Sequence, residues 1–369
     1  MVPTKTHQSK TAELTQDGAT EGYEFYGRRE YIAELVRRIN TARPGDRVLL
    51  ATMAYDTDPP EIKELIDSLQ VAAARGVRVH VFVDAFSFIV KSGLKPGPLF
   101  FATKLPRRLS RSFTDRLVGL EKIQANGGRY TITNLPRRPF STPFAGRSHI
   151  KFAAINDYVL LGGCNLNAMD QVDLMIGQHN PMLANWLDGF CEKLASKRSV
   201  RLALAEQDQV IPIDEATTLL IDAGRPNQSV ILDRALALID EATEHIWLTC
   251  QYFPNDRTAR HLSLALARGV NVTILYNHPS KHPFPLLHHL SIRAEKLRTP
   301  GVLFLSQLPK SHDFLHAKVL TTDKGTMIGS HNYVRAGVMF GTAEMTMLSR
   351  DPQVGDMARR AIDRQLRLG

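Results

Sequence analysis

From about residue 23 the chain alternates two apolar patterns, one with helical spacing and one of short unbroken apolar runs. Tyr31 to Asn40 reads as a helix and Arg47–Tyr55 (RVLLATMAY) as a buried strand. Asp58-Pro59-Pro60-Glu61 then offers a capping residue, prolines at a helix start and a glutamate at N3. Ile62, Leu65, Ile66 and Leu69 follow at helical spacing. Gly76 stands where a C′ glycine ends a helix, and Val77–Asp84 (VRVHVFVD) is the next strand. The second half repeats the order: helix Leu232–Thr243, strand His245–Phe253 (HIWLTCQYF), a helix closing in ALARG, and a strand VNVTILYN. The strings AAARGVRVHVFVD and LALARGVNVTILY set Arg75 against Arg268 and Gly76 against Gly269. This alternation predicts an α/β chain of two pseudo-symmetric lobes, 23–205 and 206–369, each a mixed, mainly parallel sheet flanked by helices. Residues 1–22 are polar and aperiodic, and a disordered tail is expected there.

Each half closes on the same short constellation. The second copy reads HAKVLTTD, from His316 through Lys318 to Asp323, followed by GSHN ending at Asn332. The first reads HIKFAAIN, from His149 through Lys151 to Asn156, followed by GGCN ending at Asn165. A histidine and a lysine two apart on a strand share one face, and the following strand brings an asparagine beside them. Two such faces brought together make one pocket with two imidazoles and two ammonium groups. That set suits a phosphodiester, whose negative oxygens must be neutralised while a nucleophile and a proton are supplied.

Composition narrows the partner. Formal charge is +9, and the segment from Lys91 to Arg147 holds twelve Lys/Arg against two acids, Asp115 and Glu121. That stretch accounts for the whole positive excess and favours a polyanionic partner. It interleaves apolar residues (Phe86, Phe88, Ile89, Val90, Leu99, Phe100, Phe101, Leu105, Leu109, Phe113, Leu117), which suits a segment lying at a lipid interface. From Gly76 to His149 is 73 residues, but from Gly269 to His316 only 47, so 86–140 reads as a basic, apolar insertion. Three cysteines, Cys164, Cys191 and Cys250, have no paired spacing; a reducing cytosol fits, and neither a disulfide framework nor a thiolate metal site is expected. No apolar run reaches membrane-spanning length, and no signal peptide is read at the start. Prolines at 279, 283 and 285 interrupt His278, His282, His288 and His289, so these read as loop or pocket-wall residues.

The doubled motif resembles the phospholipase D superfamily, whose signature is HxKxxxxD followed by G-G/S-x-N. The resemblance covers roughly 23–369 and is most like bacterial cardiolipin synthases and related phosphatidyltransferases. His316, Lys318, Asp323, Gly329, Ser330 and Asn332 match in full; His149, Lys151, Gly162, Gly163 and Asn165 match, with Asn156 replacing the aspartate. The resemblance implies two phospholipase D-like lobes around one shared active site, with no cofactor and no metal. His149 is then the nucleophile that forms a phospho-histidine, and His316 the acid and base. Lys151, Lys318, Asn165 and Asn332 would hold the phosphate oxygens. Glu344 is expected to orient His149, and Asp173 to orient His316, each across to the opposite motif. The implied partners are an anionic phospholipid on a membrane surface and an acceptor alcohol or water, for a cytoplasmic protein peripherally bound to membrane. The alternative on the same scaffold is a metal-independent nuclease acting on nucleic acid. Asn156 admits two readings: a degenerate half-site in a protein that only binds, or a hairpin-turn position that supports backbone. The turn reading is favoured, because Asn and Asp both bond to local backbone in turns.

Overall fold

The computed structural model describes residues 22–89, 111–136, 145–167, 170–281, 285–298, 308 and 313–368. Apart from Gly22, the expected tail lies outside them. In the first lobe, β1 (Glu24–Tyr26) leads to α1 (Arg28–Thr41), β2 (Arg47–Thr52), α2 (Pro60–Ala74) and β3 (Arg78–Asp84). Short α3 (Phe86–Ile89), α4 (Arg111–Ala125) and β4 (Arg129–Thr133) precede the first motif. The hairpin β5 (Phe152–Ile155) and β6 (Tyr158–Gly162) follows, then β7 (Gln171–Val172), β8 (Met175–His179), α5 (Pro181–Lys197) and α6 (Val200–Ala203). The second lobe runs β9 (Gln209–Pro212), β10 (Thr217–Ala223), α7 (Val230–Glu241), β11 (His245–Cys250), α8 (Asp256–Ala267), β12 (Asn271–Tyr276) and α9 (Pro285–Arg298). It closes with β13 (Phe314–Leu315), β14 (Lys318–Thr322), β15 (Gly325–Gly329), α10 (Arg335–Met339), β16 (Ala343–Ser349) and α11 (Pro352–Leu368).

Among the described residues each lobe holds one seven-stranded sheet. The orders are β1-β8-β6-β5-β2-β3-β4 and β12-β11-β14-β15-β16-β10-β9; with the second read backwards, β1-β8-β6-β5-β2-β3 corresponds to β10-β16-β15-β14-β11-β12, and β4 and β9 are additions at opposite edges. The expectation of mainly parallel sheets is corrected. Only β2–β3, β3–β4 and β11–β12 pair in parallel within these sheets; every other pairing is antiparallel. The reason is connection length: helices α2, α4 and α8 allow crossovers, whereas two-residue turns join β5 to β6 and β14 to β15, and such turns force antiparallel pairing.

The two sheets pack face to face. Alternate residues of one strand divide between two cores: Phe152 and Ala154 join the interlobe core, Ala153 and Ile155 the core under α1, α2 and α4. Val319 and Leu320 divide in the same way in the second lobe. Burial on both faces explains why these strands read as unbroken apolar runs. Val354, Ala358 and Ile362 of α11, and Leu183, Leu187 and Leu194 of α5, fill the same interlobe core. The repeated ARG has one task in both halves. Arg75 Nη2 donates to Ile39 O and Ala42 O, and Arg268 Nη2 to Ile239 O and Ala242 O, locking consecutive helices together. Gly76 and Gly269 take φ +91° and +87°, conformations that favour glycine after a helix.

Three local expectations differ. Asp58 does not cap α2: the N-cap is Pro59, with Pro60 at N1, and Glu61 pairs instead with Arg29. Strands β2 and β11 end at Thr52 and Cys250, because Met53, Ala54, Gln251, Tyr252 and Phe253 turn away to line the cleft described below. The basic, apolar insertion is no exposed stripe where it is described. Phe88, Ile89 and Leu117 are at most 4% exposed and belong to the first-lobe core. Val90, Leu99, Phe100, Phe101, Leu105 and Leu109, with the side chain of Phe113, lie outside the described residues.

Asn156 sits at the hairpin turn with φ +53°, which asparagine tolerates. Its Oδ1 accepts from Arg47 N at 2.9 Å, fixing the start of β2. Asp323 does the same for β11, accepting from Thr243 N at 3.1 Å, Glu244 N at 3.2 Å and Thr243 Oγ1 at 2.7 Å. Both stand at the far end of a strand from the motif lysine. Asn156→Asp is therefore expected to leave turnover within about twofold of wild type. Asp323→Ala should lose about 1–3 kcal/mol of stability, read as a lowered Tm, while the folded fraction keeps its specific activity. Loss of specific activity without a change in Tm would place this position in the chemistry instead.

Candidate active site

Both histidine–lysine pairs stand at the mouth of a strand: Lys318 opens β14, and Lys151 precedes Phe152 of β5. There the lobes exchange backbone hydrogen bonds. His149 N donates to Ala343 O and Ala343 N to Arg147 O, each at 2.8 Å. In the other direction His316 N and Ala317 N donate to Val172 O at 2.8 and 3.0 Å, beside the parallel pair of β7 and β13. The residue after each of these partners is an acid, Glu344 after Ala343 and Asp173 after Val172. Glu344 Oε2 thus lies 3.0 Å from His149 Nδ1, and Asp173 Oδ2 lies 2.7 Å from His316 Nδ1. The two ring centroids are 6.3 Å apart with planes at 72°. The two rings thus flank one space, one from each lobe.

His149 Nδ1 is also 2.8 Å from Ser330 O. A carbonyl only accepts, so Nδ1 carries the proton and Nε2 of the neutral ring keeps its lone pair. Lys151 Nζ donates to His149 O at 2.6 Å, and Lys318 Nζ donates to His316 O. Each ammonium retains further donors for a ligand's oxygens. Asn165 Oδ1 accepts from Ala54 N at 3.1 Å, which leaves its NH2 end as a donor. Asn165 and Asn332 line, with both histidines, one cleft of about 580 Å³. The eight residues expected at the site are brought together here.

The two carboxylates differ. Burial alone would raise Asp173, but His316, Lys318 and Arg28 hold it well below the ordinary carboxylate range. Arg28 Nη2 contacts Asp173 Oδ2 at 3.1 Å, and Gln365 of α11 bonds the Asp173 backbone in both directions. Glu344 has no arginine partner among the described residues and is raised by burial, which His331, Lys151 and the Ser330 hydroxyl offset only in part. Small residues shape this difference: a Cβ on Gly163 would stand 2.1 Å from Asp173 Oδ1, whereas Ser330, its counterpart, donates to Glu344.

Three site residues escaped the sequence reading. Arg28, 2% exposed, ties Asp173 to Asn165 O and Gln171, and nothing local to residue 28 announces it. His331 lines the cleft from within GSHN; burial pushes it down to about 4, and its Nδ1 accepts from Tyr333 N. Arg147 also lines the cleft, and it continues the 147, 149, 151 alternation that pairs the histidine with its lysine. That signal was legible.

Residues 235–365 match the family model described as cardiolipin synthase, PLD-like domain. The first lobe repeats its motif, order of elements and sheet. The second lobe thus matches a phospholipase D-like family. Cardiolipin synthase A of Proteus mirabilis (strain HI4320) is 23% identical over 266 residues, 65% of this chain and 48% of that protein, so the chain spans about half the length of that relative. Among solved structures, phosphatidylserine synthase of Haemophilus influenzae Rd KW20 shares the fold with a TM-score of 0.68 at 16% identity, over 94% of this chain and 86% of that one. Polyphosphate kinase of Porphyromonas gingivalis shares it with a TM-score of 0.57 at 13% identity, over 97% of this chain and 52% of that one. The superfamily's signature histidines, lysines and asparagines are those that line or back the cleft, whereas Asn156 and Asp323 hold turns.

Both catalytic-candidate imidazoles are pushed well below 6.5, first by burial and then by the lysines, and burial lowers Lys318 to about 8. A site that uses one imidazolium as its acid loses that proton as pH rises past the low imidazole value. It loses more above about 8, where Lys318 gives up its charge. Since kcat/KM reports the free protein, kcat/KM on a soluble phosphodiester should fall from an optimum below 6.5, with a second break near 8. Lys318→Arg keeps the charge and should remove the second break alone. A profile flat from 6.5 to 9 would contradict this.

Proposed function

We propose that the chain is a phosphatidyl-transferring phosphodiesterase acting on anionic phospholipid at a membrane surface. The observation that carries the reading is the pair of imidazoles, 6.3 Å apart, each held at Nδ1 by a carboxylate from the opposite lobe. In the first step His149 Nε2 bonds to phosphorus, the P–O bond to the leaving alcohol breaks, and His316 gives that oxygen its proton. Lys151 and Lys318 neutralise the non-bridging oxygens while Asn165 and Asn332 donate to them. In the second step the acceptor's hydroxyl gives its proton to His316, its oxygen bonds to phosphorus, and the P–N bond breaks. The division of roles follows the carboxylates. An Asp173 held ionised by Arg28 favours imidazolium on His316, whereas Glu344 shares its charge with Ser330 and leaves His149 neutral. Transfer and hydrolysis differ only in whether the acceptor is an alcohol or water.

The membrane contact is assigned to α9 rather than to the 86–140 stretch. Ser291, Ile292 and Glu295 of this helix line the cleft. Leu286, Leu290 and Leu297, 71%, 50% and 88% exposed, recur at helical spacing on the opposite face together with exposed Arg293. Exposed leucines beside a cation fit an anionic lipid surface. No helix among the described residues is long and apolar enough to cross a membrane.

Incubation with phosphatidylglycerol vesicles and a competing alcohol, with lipids resolved by mass spectrometry, is expected to give the exchanged phosphatidyl ester. His149→Ala and His316→Ala should each lower its formation at least about 10³-fold, and a denatured sample should carry a phosphatidyl group on His149 when the second step is starved of acceptor. Inert lipid together with cleavage of single-stranded DNA in EDTA would install the nuclease reading instead. Separately, Leu286→Ser/Leu290→Ser/Leu297→Ser should weaken binding to phosphatidylglycerol vesicles at least about tenfold, since a fully buried leucine contributes about 1.5–3 kcal/mol. Unchanged vesicle binding at unchanged Tm would remove α9 from the interface.

A further inference from the structure

The cleft holds a third imidazole that the two-step chemistry leaves unused. His331 stands between Ser330 and Asn332, is 3% exposed, and lines the cleft with both histidines. Its Nδ1 accepts from Tyr333 N at 3.0 Å, so in the neutral ring the proton belongs to Nε2. That bond closes a tight turn in which Tyr333 takes φ +55°. No described residue accepts from Nε2. A buried N–H without an acceptor is disfavoured, so the open edge of the ring faces the cleft, where a ligand completes it.

The preceding carbonyl, Ser330 O, is 2.8 Å from His149 Nδ1, which puts His331 on the His149 side of the cleft. The charges of Glu344 and His149 both bear on it. Burial keeps the ring neutral down to about 4, which makes it a hydrogen-bond donor rather than a proton source near neutral pH. Its counterpart in GGCN is Cys164, 1% exposed and packed in the first-lobe core. The first motif thus gives a thiol to the core where the second gives a ring to the cleft.

We propose that His331 Nε2 donates a hydrogen bond to an oxygen of the phosphoryl group itself, as a further substrate-contacting residue. The inference deepens the phosphatidyl-transfer reading and rests on it for the identity of that group. In a displacement at phosphorus the attacking and leaving atoms lie in line, with the other oxygens between them. With His149 as nucleophile, the leaving alcohol and later the acceptor both stand on the His316 side. A donor on the His149 side reaches what stays attached to phosphorus, and it acts alike in both steps.

Two substitutions separate this contact from the turn. His331→Asn keeps an oxygen that accepts from the N–H two residues on, as asparagine does in turns, but nothing in it reaches the Nε2 position. His331→Gln carries an amide N–H to that position and gives up the turn bond. On soluble bis(4-nitrophenyl) phosphate, His331→Asn at unchanged Tm should lower kcat/KM about 10- to 100-fold, and His331→Gln should recover most of the loss. Calorimetry should show His331→Asn binding inorganic phosphate at least about threefold more weakly than wild type. With phosphatidylglycerol and a competing alcohol, the ratio of transfer to hydrolysis should not move in either variant. If His331→Asn has a lowered Tm, His331→Gln against His331→Leu makes the same comparison, since neither keeps the turn bond. Wild-type kinetics in a folded His331→Asn protein would reduce the ring to a turn support and overturn the proposal. A loss confined to lipid substrates, or a shifted ratio of transfer to hydrolysis, would overturn it by moving the contact to an acyl ester or to the acceptor. Failure of the transfer reading shows separately, as absent lipid turnover with the weakened phosphate binding of His331→Asn intact.

Discussion

The site depends on two backbone exchanges between the lobes. His149 and Ala343 share one, His316 and Val172 the other, and in each case the next residue of the partner strand carries the carboxylate. Backbone register therefore decides which side chain meets which imidazole. Neither lobe completes a site alone, since each supplies a histidine whose orienting acid belongs to the other. Docking the sheets also buries Lys151, Lys318 and Arg28 against two carboxylates, Asp173 and Glu344. With both imidazoles neutral, this inner set carries one excess positive charge. Buried charge of that kind is unfavourable until compensated, and under the proposed function a phosphodiester monoanion would supply the missing charge. The depressed lysines and an affinity for that anion would then have one cause.

Pseudo-symmetry stops at the second layer. Gly163 lets Asp173 approach closely and Arg28 keeps it ionised, while Ser330 fills the corresponding space and donates to Glu344. Two rings with the same nominal environment thereby stand beside carboxylates shifted in opposite directions, Asp173 lowered and Glu344 raised. One phosphorus centre needs a nucleophile on one side and an acid on the other, and an exactly symmetric pair of halves would supply neither preference. Arg147, which lines the cleft two residues before His149 where Phe314 precedes His316, extends the same asymmetry to the cleft wall.

Much of this was legible in the chain because the signals are local. Strands buried on both faces show as runs such as RVLLAT, and HxK with its downstream asparagine survives in both copies. The turn role of Asn156 could be argued from side-chain chemistry and is matched by its bond to Arg47 N. Parallel pairing was overestimated because helix–strand alternation is visible, whereas the edge strands β1 and β9 carry weak or borrowed patterns. Arg28 was invisible for a different reason. Its partner lies 145 positions away, and no periodicity links the start of one helix to an acid beyond a distant hairpin. Phe88 and Leu117 were read as part of an exposed stripe because apolar residues beside cations read alike whether they face a core or solvent. Phe88 and Leu117 face a core; Leu286 and Leu297 do not.

Under the proposed mechanism, the outcome of the second step is a contest between acceptors, and the cleft wall biases it. Phe86, Phe253, Ile292, Val334 and Phe340 stand around the two histidines. An apolar wall lowers the local population of water while tolerating an acyl chain or an alcohol's carbon skeleton. Helix α9 offers its exposed leucines on the face opposite its cleft residues, so an acceptor lipid would arrive from a surface where its concentration is high. Both features act on the acceptor rather than on the attacked phosphorus. They favour transfer over hydrolysis without any change in the four groups that carry the chemistry, which is why the histidine–lysine motif by itself does not discriminate between the two reactions.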